Sequence, residues 1–176
     1  MAGDPVSTLF NESQELEHKG EYSQAIYRLQ EAINLIDKNG SQAREKPLAI
    51  VRVGWLEFLQ GHYLEARQTT DSGMSLVDPK SQAAYEGMIN YAAIIAETSD
   101  LVGAEKIYTQ AIELCRELGL ENLLYRGLHG VAVGVYLPRG QFDLSLSFER
   151  EALLLARRDP VNKPIWKFLN TIAWVH

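Results

Sequence analysis

The chain has 176 residues, 46% hydrophobic and 23% charged, which is the composition of an ordinary globular protein and the length of one domain or one run of small repeats. Lys plus Arg is 17 and Asp plus Glu is 23; a net charge of −6 repels phosphate backbones and anionic lipid, which argues against direct nucleic-acid or membrane binding. A single cysteine, Cys115, excludes an internal disulfide and a cysteine-built zinc site and fits a reducing, cytoplasmic setting; no apolar run approaches the roughly 20 residues that span a bilayer, and residues 1–10 lack an export signal.

Apolar spacing and turn signals predict nine helices, at about 5–19, 21–37, 43–60, 62–77, 80–98, 101–118, 121–137, 141–158 and 161–176. The first opens at Asp4-Pro5, with Asp as N-cap and Pro at the first helical position. Asp78-Pro79 and Asp159-Pro160 read the same way for the fifth and ninth helices. Pro47 and Pro164 fall near unit starts, and Pro138 sits just before Gly140. No proline interrupts a helix interior, where it would break a backbone bond. The second helix carries its apolar stripe at Ala25, Ile26, Leu29, Ala32, Ile33 and Ile36; Leu101, Ala104, Ile107, Tyr108, Ala111, Ile112 and Cys115 repeat it in the sixth.

These helices belong to a repeat. Gly20-Glu21-Tyr22-Ser23-Gln24-Ala25, Gly61-His62-Tyr63-Leu64-Glu65-Ala66, Ser99-Asp100-Leu101-Val102-Gly103-Ala104 and Gly140-Gln141-Phe142-Asp143-Leu144-Ser145 share one pattern: a turn residue, then a large apolar residue two later, then a small one three further on. The small column sits at 25, 66, 104 and 145, in steps of 41, 38 and 41. Seven residues beyond it stand Ala32, Gly73, Ala111 and Ala152; seven before the turn stand Ser13, Gly54, Ala92 and Val133. Each unit therefore reads as a helical hairpin whose small residues let two helices approach closely.

The turn motif resembles that of the tetratricopeptide repeat (TPR), over essentially the whole chain. The period is longer than the standard unit of about 34 residues, which points to long-unit relatives: kinesin light chains, Rap-type bacterial regulators and the sensor domain of MalT-like LuxR-family regulators. The stretch Ala111-Ile112-Glu113-Leu114-Cys115-Arg116-Glu117-Leu118-Gly119 is most similar to the last group. The resemblance implies an all-α, right-handed superhelical solenoid of about four and a half units, at 5–41, 42–78, 79–119, 120–159 and 160–176, forming one domain. The fifth unit is half a hairpin, with Ala173 and Trp174 matching Gly54 and Trp55, so a fragment of a longer protein is expected.

The same resemblance implies a groove lined by the first helices. Two residues before the first-helix small column stand Asn11, Arg52, Asn90, Val131 and Thr171; one after it stand Gln14, Trp55, Ala93, Gly134 and Trp174; three before it stand Phe10, Val51, Ile89, Gly130 and Asn170. Asn11, Gln14, Arg52, Trp55, Asn90, Thr171 and Trp174 are the candidate partner-binding residues. Asn11, Arg52 and Asn90 would form a polar ladder for an extended peptide, with Trp55 and Trp174 as aromatic anchors. Packing between units is the competing reading for Trp55. Gly127, Gly130 and Gly134 leave the fourth first helix bare, for a ligand or for a closely packed neighbouring helix.

No phosphate loop, zinc-protease, dithiol or nucleophile-elbow motif is present. His129 reads as a packing residue and Cys115 as a small hydrophobe on an apolar stripe. The expectation is a non-enzymatic interaction or ligand-sensing module with no cofactor and no metal. Its expected partner is a protein, a peptide or a small-molecule inducer, and a MalT-like transcriptional regulator is its expected setting. A peptide-binding adaptor and a regulatory appendage of a signalling enzyme are the alternatives. Homo-oligomerisation through an exposed solenoid end is a further expectation.

Overall fold

The computed structural model describes residues 4–40, 42–158 and 165–175. Among the described residues there are nine α-helices and no strand: α1 (Pro5–His18), α2 (Tyr22–Asn39), α3 (Lys46–Leu59), α4 (Tyr63–Met74), α5 (Gln82–Glu97), α6 (Leu101–Glu117), α7 (Glu121–Val131), α8 (Phe142–Ala156) and α9 (Ile165–Val175). The chain forms two compact units, Met1–Asn90 and Tyr91–His176, with the boundary inside α5. In the first, α1 packs on α2, α2 on α3 and α3 on α4; in the second, α6 packs on α7, α7 on α8 and α8 on α9. Consecutive helices are thus hairpin neighbours, as the repeat requires.

The four turns are built alike. Gly20, Gly61, Ser99 and Gly140 take φ of 77°, 79°, 67° and 69°, the left-handed region that ends a helix. In each, the next amide reaches back five residues: Glu21 to the Leu16 carbonyl, His62 to Glu57, Asp100 to Ile95 and Gln141 to Tyr136, at 2.9–3.2 Å. These bonds satisfy carbonyls that the helix end would otherwise leave orphaned.

The first cap forms as expected. Asp4 Oδ2 accepts the Ser7 amide at 3.0 Å and the Ser7 hydroxyl at 2.6 Å, with Pro5 opening α1. Gln42 donates to the same oxygen at 2.6 Å. The Ser7 hydroxyl, then Gln42 and the Ser7 amide, hold the Asp4 carboxyl down to about 2. Asp78-Pro79 behaves differently from the expectation. Asp78 Oδ1 takes the Lys80 amide and its carbonyl takes the Ser81 hydroxyl, which closes a turn; Ser81 Oγ then receives the Ala84 amide, and α5 starts at Gln82. The serine hydroxyl reaches the helix's third amide, so the cap moves to it. Asp159-Pro160, Pro164 and the expected start of the ninth helix lie outside the described residues.

The small columns are the places where paired helices meet. Ala25, Ala32, Ala66, Ala92, Ala104, Ala111 and Ala152 are fully buried. A Cβ on Gly54 would run into Thr70 Oγ1 and stand 3.1 Å from the Ala66 carbonyl; one on Gly73 would stand 2.9 Å from Val51 Cγ2. Where the column holds serine, the hydroxyl bonds across the hairpin: Ser13 Oγ to the Ala25 carbonyl at 3.0 Å, and Ser145 Oγ to the Ala132 carbonyl at 3.1 Å.

That second bond corrects the register of the fourth unit. The residue opposite Ser145 is the fully buried Ala132, not the half-buried Val133. Ala132 stands eight residues before its turn, whereas Ser13, Gly54 and Ala92 stand seven before theirs. A π-helical turn over Ala132–Tyr136 absorbs the extra residue. Upstream of it, a spacing of 40 sets Tyr85-Glu86-Gly87 of α5 against Tyr125-Arg126-Gly127 of α7.

Candidate partner-binding face

In the first unit the candidate residues lie on α1, α3 and α5. Asn11 and Gln14 are exposed on α1. Arg52, half-buried on α3, makes a paired contact with Glu86 of α5: Nε to Oε2 at 3.2 Å and Nη2 to Oε1 at 3.1 Å. The Glu86 side chain is 1% exposed, and Gln82 Nε2 donates to it at 2.7 Å. The other face of the Arg52 guanidinium lies 5.4 Å from the centroid of the Phe10 ring. One turn further along α3, Trp55 donates its Nε1 to Glu17 Oε1 at 3.0 Å and stacks on Phe58.

The expected ladder of Asn11, Arg52 and Asn90 is therefore not an open one. Asn90 is fully buried, and its Nδ2 donates to the Val51 carbonyl of α3 at 2.7 Å. Arg52 spends its fork on Glu86. The cause is that α3 lies beside α1 and α5 as well as on its own partner α4, so part of the expected lining turns inward. Val51 and Ile89 are core for the same reason. Trp55 combines both readings, bonded to Glu17 of the preceding hairpin yet only half-buried.

In the second unit Thr171 is half-buried on α9, while Trp174 is 72% exposed. Of the glycine stripe, Gly130 is closed by Tyr108 of the neighbouring α6. A Cβ on Gly130 would stand 2.5 Å from Tyr108 Cε1, and one on Gly134 would stand 3.6 Å from the Tyr108 hydroxyl. Burial pushes the Tyr108 phenol well above the usual tyrosine range. His129 Nδ1 bonds Glu149 Oε1 at 2.7 Å, and its ring meets Phe168 edge-on. Val131 is core, so the groove positions expected of this unit shift one residue upstream with the π turn.

Sequence reasoning missed Glu86 and Glu149, both fully enclosed carboxylates. It read Glu17 as part of a solvated acidic face and Tyr63 as a turn residue, and gave Phe58 no role. The one available signal was spacing: Glu17 precedes Trp55 by 38 residues, close to one repeat, and so sits beside it on the preceding hairpin. Cys115 is buried, with its Sγ 3.2 Å from the Leu120 carbonyl. Among the described residues no group of His, Cys, Asp and Glu is placed to hold a metal, and no helix is long and apolar enough to cross a membrane.

No family model matches the sequence, and no curated protein matches it. Solved structures do. BtubC (BKLC) from P. vanneervenii is similar over 93% of this chain and 68% of its own, at 14% identity and a TM-score of 0.66. The nearly identical TPR-like repeats of a putative kinesin light chain from P. anserina are similar over 98% of this chain and 87% of theirs, at 10% identity and a TM-score of 0.61. The fold is TPR-like. At these identities the likeness describes the fold, and the TPR-like hairpins put Asn11, Gln14, Arg52 and Trp55 on first helices.

Proposed function

We propose that this chain is a non-enzymatic protein-interaction module that holds a segment of a partner protein along the first helices α1 and α3. The observation that carries the reading is the face of the first unit. Exposed Asn11 and Gln14 flank groups already locked in place, Arg52 by Glu86 and Trp55 by Glu17. Donors and rings held on rigid helices lose little freedom when a ligand binds. The finer setting, the sensor segment of a larger MalT-like regulator responding to an inducer, rests on the resemblance of residues 111–119 alone.

The test is thermal melting of the protein across a library of peptides and small metabolites, with Asn11→Ala plus Gln14→Ala as the comparison. A ligand that binds only the folded state raises the melting temperature by mass action. Both substituted residues are exposed, so the variant keeps the unliganded melting temperature. A shift seen in the parent and reduced in the variant supports the face; an undiminished shift overturns it. Arg52 and Asn90 are unsuitable probes, because removing either strips a structural bond.

A further inference from the structure

A row of planar groups runs along α3 into the start of α4. The Trp55 and Phe58 rings stack with centroids 5.3 Å apart and planes 22° apart, and Tyr63 follows at 5.5 Å from Phe58. Tyr63 is 45% exposed, while Trp55 and Phe58 are half-buried. The apolar cluster formed by Ala25, Leu29, Ala49, Val53 and Leu56 takes in Phe10 and Leu59. Trp55, Phe58 and Tyr63 contact one another in a row of their own. Glu17 holds the indole of Trp55 in a fixed orientation, so the row is set before anything binds.

The charge around the row is predominantly acidic, with exposed Lys19 just after α1 and exposed Arg67 one turn beyond Tyr63 as its minority cations. Residues 1–90 contain 13 acidic and 8 basic side chains, whereas residues 91–176 contain 10 and 9. Arg52, the cation nearest the row on α3, is neutralised by Glu86. Glu17 stands at the row itself, and Glu15 and Glu21 are exposed near the end of α1 and the turn that follows it.

We propose that this row docks an extended, proline-containing segment of a partner protein that carries a basic side chain. The inference rests on the interaction-module reading above and specifies its partner. Proline-rich segments are already extended, so they lose little entropy on binding, and their flat rings lie well on aromatic faces. An arginine or lysine beside them gains from the carboxylate of Glu17 and from the face of an aromatic ring. An acidic segment meets like charge and is turned away.

The test uses three synthetic peptides: a short oligoproline ending in two arginines, the same ending in two glutamates, and a Gly-Ser peptide ending in two arginines. The readout is the indole N–H signal of Trp55 in an NMR titration. The proline–arginine peptide is expected to move that signal and to bind about ten-fold more tightly than either of the others. Tyr63→Ala removes part of the row, and Glu17→Gln keeps an acceptor for Trp55 while losing the charge. Each is expected to weaken binding several-fold with the melting temperature preserved. No movement of the Trp55 signal at millimolar peptide overturns the proposal, as do equal binding by all three peptides and binding unaffected by both variants. A different peptide whose binding falls in Asn11→Ala with Gln14→Ala would leave the interaction face standing while removing this specificity.

Discussion

The ring of Tyr108 on α6 occupies the space where a side chain on Gly130 of α7 would stand, with Cε1 2.5 Å from the position of a Cβ. The glycine is therefore a packing device between consecutive helices. Gly130→Ala gains helix propensity of about 1 kcal/mol but overfills the contact, which costs roughly 1–3 kcal/mol. A net loss of stability is expected in denaturant melts. Tyr108→Leu in the same chain is expected to recover part of it, because contacting sites do not add.

Arg52 and Glu86 make a sharper case. The carboxylate is enclosed, and Gln82 supplies one bond besides the arginine fork. Breaking a buried pair from one side costs about 3–5 kcal/mol. Arg52→Met is expected near the lower end of that range, since the Gln82 amide remains. Arg52→Met with Glu86→Leu is expected to be more stable than Arg52→Met alone. A double-mutant cycle by urea melting measures the difference.

Ser99 is the one turn residue of the four that is not glycine, yet it holds φ of 67°. A non-glycine residue in this region costs about 1–3 kcal/mol. Ser99→Gly relieves that strain and gives back part of the gain as unfolded-state entropy. A net stabilisation of about 0.5–1 kcal/mol is expected in thermal or denaturant melts.

Asp4 ties the start of α1 to Ser7 and Gln42. Its carboxyl is lower in the folded state than in the unfolded one, so the cap's contribution is fully present above the unfolded value near 4 and is lost as pH falls through about 2. The Ser7 amide signal is expected to titrate with a midpoint near 2, and Gln42→Ala is expected to raise that midpoint. A midpoint unchanged by Gln42→Ala would show that the contact is not made in solution.

The hairpins were legible because their determinants are local. Small residues recur at one spacing, positive-φ turns fall on glycine three times in four, and apolar stripes keep the helical period. The register of the fourth unit was not legible. Ala132 and Val133 are both small enough and apolar enough for the column, and it is the burial of Ala132 and the bond from the Ser145 hydroxyl to its carbonyl that tell them apart. Glu86 and Glu149 were also hidden, since a glutamate on a helix reads as a solvated face until a partner from another helix encloses it.

The sequence by itself determined the all-helical repeat, the place of each turn and, outside the fourth unit, the small residues at which paired helices touch, because each depends on spacing within about one turn or one repeat. Only the tertiary structure decided which first-helix positions face outward. It buried Asn90 against Val51, engaged Arg52 with Glu86, and left Asn11, Gln14 and Tyr63 open. The physical reason is that a helix in a stack has neighbours on more than one side. Its apolar period names the face toward its own partner, while the polar residues that turn inward toward the next helix are set by contacts between residues 34 to 39 positions apart.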